Sequence, residues 1–190
     1  MKGCARTALG RRGFTLVELI VIMVMIGVIG AVAAPRFFAR QGFDARAFAD
    51  QCAAMLRYAQ KIAVAQNRPV WVRLNGASVA LCFDGACASK VNAPGGSNSG
   101  NAATITACAS STWFCEAIPG TVSYSASGLG SSFYFDALGR PFAAADTQPT
   151  LVSTFPAKTY GVATTTRIVI TGDSSSYNVI VEPETGYVHN

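Results

Sequence analysis

The sequence predicts an α+β chain in which a long N-terminal helix, partly a membrane spine, packs on a small antiparallel β-rich head of two sheets. Three observations predict it. The 21 residues from Phe14 to Ala34 carry only Thr15 and Glu18 as clearly polar side chains. The next stretch, to Gln66, places its apolar residues at helical spacing, and after Pro69 the period drops from 3.6 to 2. With 190 residues there is room for one domain with a core plus attachments, not for two ordinary domains. Charged residues make up 13% and hydrophobic ones 51%, and the mean hydropathy is +0.33, which excludes disorder as a description of the whole chain.

The first thirteen residues hold Lys2, Arg6, Arg11 and Arg12 and no acid. The formal net charge of +5 is concentrated there: the remainder carries eleven basic against ten acidic residues. The rest of the chain therefore has no electrostatic case for polyanions. A basic region followed by an apolar run is the grammar of export or membrane insertion. An ordinary signal peptide cut after Ala33 or Ala34 is opposed by Pro35 just beyond the cut and by an apolar run longer than a usual signal core. A plain transmembrane helix fits by length, since 21 residues rise about 31 Å at about 1.5 Å each. Glu18 does not fit it, because an ionised carboxylate in hydrocarbon costs on the order of a few kcal/mol and requires a partner. Cleavage between Gly13 and Phe14 would create an amino terminus four residues before Glu18, a cation able to neutralise that carboxylate on a neighbouring copy.

The residues RRGFTLVELI, Arg11 to Ile20, resemble the type IV prepilin signal shared by type IV pilins and type II secretion pseudopilins. The resemblance implies that a membrane peptidase cuts after Gly13, that Phe14 is N-methylated, and that Glu18 guides assembly into a filament. It also places Pro35 where many pilins carry a helix-kinking proline. The basic leader stays cytoplasmic by the positive-inside rule, so everything after Ala34 faces an oxidising compartment.

From Asp44 to Gln66 the apolar positions Phe48, Cys52, Met55, Leu56, Ala59, Ile62 and Ala63 form a helical stripe opposite Arg46, Asp50, Arg57, Gln60 and Lys61. Pro35 and Gly42 predict a kink or loosened stretch between the two helical parts. From Phe14 to Gln66 the spine would measure about 80 Å at 1.5 Å per residue, and Pro69 ends it. Strands are expected at Val70 to Leu74, Ser78 to Phe83, Thr121 to Ser125, Ser132 to Asp136, Leu151 to Phe155, Arg167 to Thr171 and Tyr177 to Glu182. Asn75-Gly76, Leu138 to Pro141 and Gly172 to Ser174 suit tight turns. The helical stripe is expected on one sheet face, and Lys90 to Ala103, rich in Gly, Ser and Asn, as a flexible surface loop. Four segments result: a cleaved leader 1–13, a membrane and filament-core helix 14–34, its amphipathic continuation 35–66, and a β-rich head 67–190.

The helix text Asp44 to Val72 and the segment FYFDALGRP, Phe133 to Pro141, resemble the GspH/FimT group of minor pilins and pseudopilins, with MSHA-type minor pilins the nearest in pattern. The specific motif covers the N-terminal third, and the head matches in pattern. The resemblance implies a pilin fold and a structural role in assembling or priming a pilus-like filament. The implied partners are other pilins through the N-terminal helix, the prepilin peptidase and the inner membrane, with the head periplasmic before assembly. A type II secretion pseudopilin is an alternative. So is a DNA-uptake pilin, but the tail Glu184 to Asn190 has no arginine or lysine, and nucleic acid is not favoured; Arg140, Lys158 and Arg167 would have to converge to bind it.

Cys4 goes with the leader. Cys82 and Cys87, and Cys108 and Cys115, are spaced to close two small disulfide loops in an exported domain, each stabilising by about 1–3 kcal/mol. A four-cysteine zinc site is the rival reading, without the usual C-x2-C pair, and no metal or cofactor is expected. Cys52, on the helical stripe, reads as a core thiol. With His189 the only histidine, no Ser/His/Asp arrangement can form from an internal histidine, and His189 reads as a solvated tail residue; no enzyme is expected. Glu182 and Glu184 read as solvated turn acids, and Asp136, Asp146 and Asp173 lack the spacing of a calcium site.

Overall fold

A computed structural model describes residues 14–38, 40–146, 152–155 and 166–190. The chain divides into two compact units, Met1–Ala39 and Arg40–Asn190. The first contains α1 (Leu16–Phe38), which runs through Pro35. Its window Leu16–Ala33 has a mean hydropathy of 2.8 and no buried residue. The helix is long and apolar enough to cross a membrane, by length and composition.

The second unit begins with α2 (Arg40–Gln66), which includes Gly42. Pro35 lies inside α1 and Gly42 inside α2, and the expected kink or loosened stretch between the two helical parts includes Ala39, outside the described residues. Phe48, Cys52, Met55, Leu56, Ala59 and Ala63 are buried, and so are the small residues Ala45, Ala49 and Ala53 beside them. Arg46, Asp50, Arg57 and Lys61 stay in solvent. The helix ends in a Schellman arrangement: Asn67 is left-handed at φ 50, its amide reaches the Val64 carbonyl, and the Arg68 amide reaches that of Ala63.

Beyond Pro69 come β1 (Val70–Leu74), β2 (Ser78–Cys82), α3 (Ala102–Cys108), β3 (Cys115–Ala117), β4 (Ser123–Ser127), β5 (Ser132–Phe135), β6 (Pro141–Ala143), β7 (Arg167–Gly172), β8 (Ser175–Val181) and β9 (Val188–His189). They form two antiparallel sheets, β3-β2-β1-β5-β6 and β4-β7-β8-β9, so the α+β expectation holds. The Asn75-Gly76 turn works as expected: the Asn75 carboxamide oxygen accepts the Ala77 and Ser78 amides, and Gly76 takes φ 81. Register alternates the faces. Val72 lies opposite Leu81 and Phe133 toward the core, whereas Trp71 lies opposite Cys82 and Tyr134 on the other side.

Several expectations are corrected. The helical stripe does not serve one sheet: α2 packs on β1, β2 and β5 of one and β7, β8 and β9 of the other, which a helix between two sheets can do with a wide apolar face. β4 starts two residues later than expected, because Val122 bonds back to the Pro119 carbonyl in a turn. Leu151 lies outside the described residues, and 152–155 is not a strand; Ser153 and Thr154 bond to Pro141 and Asp146 instead, while Phe155 is buried and produces the apolar signal. The short strands β3, β6 and β9 and the helix α3 carry too few residues to show a period. The segment Lys90 to Ala103 is folded, not loose. Lys90 bridges Cys82, Asn98 is buried and donates to the Ser110 and Trp113 carbonyls, and Asn101 caps α3 by accepting the Thr104 amide.

Candidate functional site

The residues expected to process and assemble the chain stand at the start of α1. Gly13 lies outside the described residues, and Phe14 is 76% exposed. Thr15 caps the helix: its hydroxyl accepts the Glu18 amide at 3.2 Å, and its carbonyl accepts the Leu19 amide. Thr15 and Glu18 thus have the spacing of a capping box, with the acid in the first turn where the helix dipole favours it. The Glu18 carboxylate is exposed and has no hydrogen-bond or ion-pair partner among the described residues. Its bonding capacity is therefore open to something outside the chain. Pro35 lies in the last turn of α1, three residues before its end at Phe38.

The cysteines divide as follows. Cys82 pairs with Cys87 and Cys108 with Cys115, with Cα separations of 5.1 and 5.9 Å. The first closes a loop containing Asp84, whose carboxyl is held below the usual carboxylate range by the backbone amides of Ser89 and Ala88 just beyond the loop. The second ties α3 to β3. Cys52 is free and buried, and desolvation pushes its thiol up to about 12. Burial likewise raises the Tyr124 phenol, with Cys52 adding to it, and the Tyr124 hydroxyl has no hydrogen-bond partner among the described residues. Among the described residues no three His, Cys, Asp or Glu side chains are grouped to hold a metal.

His189 is not a solvated tail residue. It belongs to β9, with its Nε2 3.0 Å from Glu182 Oε1 and its ring stacked on Tyr187 at 5.5 Å. The tail is fastened to α2: Arg57 donates to the Val188 carbonyl, and Asn190 donates to Asp50. Asp136 accepts the Leu138 and Arg140 amides and the Arg140 guanidinium, staples of a turn and not a metal site. Arg140 is thereby committed to Asp136 at 3.0 Å, Lys158 lies outside the described residues, and Arg167 begins β7 in the other sheet. Of the two described cations, Arg140 is bound up in the β5–β6 turn and Arg167 in β7.

Two residues that the sequence reading passed over organise the head. Glu116, 3% exposed, accepts the Ser99 amide and hydroxyl and the Thr104 hydroxyl, so a buried carboxylate holds the 90–101 segment to α3. Gln60 donates to the Gly139 and Thr185 carbonyls, joining α2 to the β5–β6 turn and to the tail. Neither has a sequence signature, because a polar residue on a helix or in a three-residue strand reads as solvent-facing.

Residues 9–34 match the prokaryotic N-terminal methylation motif. The chain is 37% identical over 73 residues to the type IV major pilin protein PilE1 of Neisseria gonorrhoeae, a match covering 37% of this chain and 32% of that protein. It is 39% identical over 59 residues to the type IV narrow pilus major component PilA5 of Thermus thermophilus, covering 31% of this chain and 51% of that one. The chain spans 32% and 51% of the length of these two curated relatives. Among solved structures it is similar to the type IV minor pilin FimU of Pseudomonas aeruginosa in two crystal forms. The identity is 14% in both, with TM-scores of 0.43 and 0.44, covering 76% of this chain and 90% and 85% of those chains. Part of the chain is thus similar to type IV pilins, and residues 9–34 carry the methylation motif.

Proposed function

We propose that the protein is a minor pilin or pseudopilin, a non-enzymatic subunit made as a precursor, cut between Gly13 and Phe14, and drawn from the inner membrane into a pilus-like filament. The observation that carries the reading is α1 itself, apolar on all sides with no buried residue in its Leu16–Ala33 window, and with one carboxylate in its first turn that has no partner among the described residues. Lipid satisfies the apolar face before assembly, and neighbouring helices of the same kind satisfy it afterwards. In that packed environment Glu18 requires a cation, and the amino group freed at Phe14 of a neighbouring subunit supplies one. The disulfide-braced head stays outside, and priming of the filament tip is the role we favour. The fastened tail without Lys or Arg weighs against DNA retention.

The test is the mass of membrane-extracted protein together with filament composition. A mature chain starting at N-methylated Phe14 is expected. Glu18→Ala leaves the partner amine unmatched at about 3–5 kcal/mol, so its incorporation into filaments should fall more than 100-fold with the head still folded. Filaments built from chains retaining Met1 would overturn the reading.

A further inference from the structure

β1 and β2 are joined through Asn75-Gly76, and Asn75 is the only asparagine in the sequence that precedes a glycine. Both residues are exposed. The Asn75 Oδ1 accepts the Ala77 amide at 2.9 Å and the Ser78 amide at 2.7 Å, with the Ser78 hydroxyl at 3.3 Å. Two backbone N–H groups aimed at one carbonyl oxygen stabilise the charge that develops on that oxygen when its carbon is attacked. The neighbouring nucleophile is the Gly76 amide nitrogen, which donates no hydrogen bond among the described residues. Gly76 has no Cβ to crowd an approach, and its φ of +81 suits glycine. The Asn75 Nδ2, the group that would leave, has no partner among the described residues either.

We propose that Asn75-Gly76 is a site of self-modification, where the chain converts its own asparagine side chain to an acid with water as the co-reactant. The Gly76 nitrogen, its proton passing to solvent, bonds to Asn75 Cγ, and the carbonyl electron pair moves onto Oδ1. Collapse breaks the Cγ–Nδ2 bond and releases ammonia, leaving a cyclic imide. Water then opens the imide at Cγ, giving aspartate at 75, or at the Asn75 backbone carbonyl, giving an isoaspartyl link that runs through Cγ. The two products differ in consequence. Aspartate keeps an acceptor for the Ala77 and Ser78 amides, now charge-assisted, so the hairpin survives. The isoaspartyl link adds a carbon to the main chain between strands paired from Leu74↔Val79 to Trp71↔Cys82, and a pair in fixed register has no place for it. Asp84-Gly85 is the opposite case. The Ser89 and Ala88 amides hold its carboxyl below the usual range, and an ionised carboxylate resists attack at its carbon. The site lies wholly within Arg40–Asn190, so the proposal stands or falls separately from the assembly of α1.

The full chain in detergent micelles would be incubated at pH 8 and then digested. The mass of the peptide holding Asn75 reads the amide-to-acid exchange, and its chromatographic retention separates the isoaspartyl isomer. Conversion is expected at Asn75. Asn67, Asn92, Asn98, Asn101 and Asn178, each followed by a residue that bears a side chain, should remain amides, and Asp84-Gly85 should stay unisomerised. Gly76→Ala puts a Cβ beside the attacking nitrogen and should slow conversion about tenfold or more. Ala77→Pro removes one donor from Oδ1 and should also slow it about tenfold; the Gly76 variant decides the matter if the proline variant fails to fold. An unchanged Asn75, earlier conversion at another asparagine, or a folded Gly76→Ala or Ala77→Pro variant converting at the parent rate would each overturn the proposal.

Discussion

Replacing Gly186 by alanine tests how the C-terminal segment is held. Gly186 sits at φ +69, and a Cβ there would fall within contact distance of the Gly139 carbonyl oxygen and 2.8 Å from Gln60 Nε2. Three costs combine. The left-handed conformation costs an L-residue about 1–2 kcal/mol. Forcing apart backbone that has no room costs about 1–3 kcal/mol. The displacement also loosens the Gln60 bonds to Gly139 and Thr185, worth about 1 kcal/mol each. A loss of about 4–7 kcal/mol is expected, which at about 2–4 °C per kcal/mol for a unit of this size lowers Tm by about 8 °C or more. Gly96→Ala is the matched control, because Gly96 has φ +82 but nothing within 4 Å of its would-be Cβ, and its cost is the conformational one alone, about 3–6 °C. The assay is thermal unfolding followed by the fluorescence of Trp71 and Trp113, both in the head. Equal shifts for the two variants would refute the argument that the tail is wedged between Gly139 and Gln60.

Glu116→Ala strands the Ser99 and Thr104 donors in a buried site and should cost about 2–3 kcal/mol in urea unfolding. Glu116→Gln, which keeps an acceptor, should cost less, and limited proteolysis should then cut first within 90–101 if Glu116 holds that segment. Cys52 has a folded value of about 12 against 9.0 for an ordinary thiol. The folded state therefore keeps a proton that the unfolded chain releases, and this stability is complete below pH 9 and lost as pH rises from about 9 to 12. Cys52 in the native protein should not react with a thiol reagent at pH 8, and Cys52→Ala should flatten the alkaline decline in unfolding free energy.

Periodicity made α1, α2 and the strands β1, β2, β5, β7 and β8 legible, since each is long enough to show which face is buried. The cysteine spacings are local in sequence, so the two disulfides too could be read without coordinates. Leu151 to Phe155 misled because Phe155 is buried from a loop, and a buried side chain there gives the same signal as one on a strand. Lys90 to Ala103 misled because its composition reports turn preference and not the partner, Glu116, that supplies the missing bonds.

The sequence by itself determined what depends on near neighbours along the chain: an apolar helix with one acid in its first turn, an amphipathic helix after it, and turns of stated type between alternating strands. Only the tertiary structure decided what depends on residues far apart in sequence. It placed α2 against both sheets, bonded Gln60 to carbonyls 79 and 125 positions away, put His189 on Glu182, and paired β9 with Ile180 and Val181. The physical reason is that hydrophobic periodicity names a buried face without naming its partner. Hydrogen bonds between distant segments leave no period at all, because their geometry exists only once the core has brought the segments together.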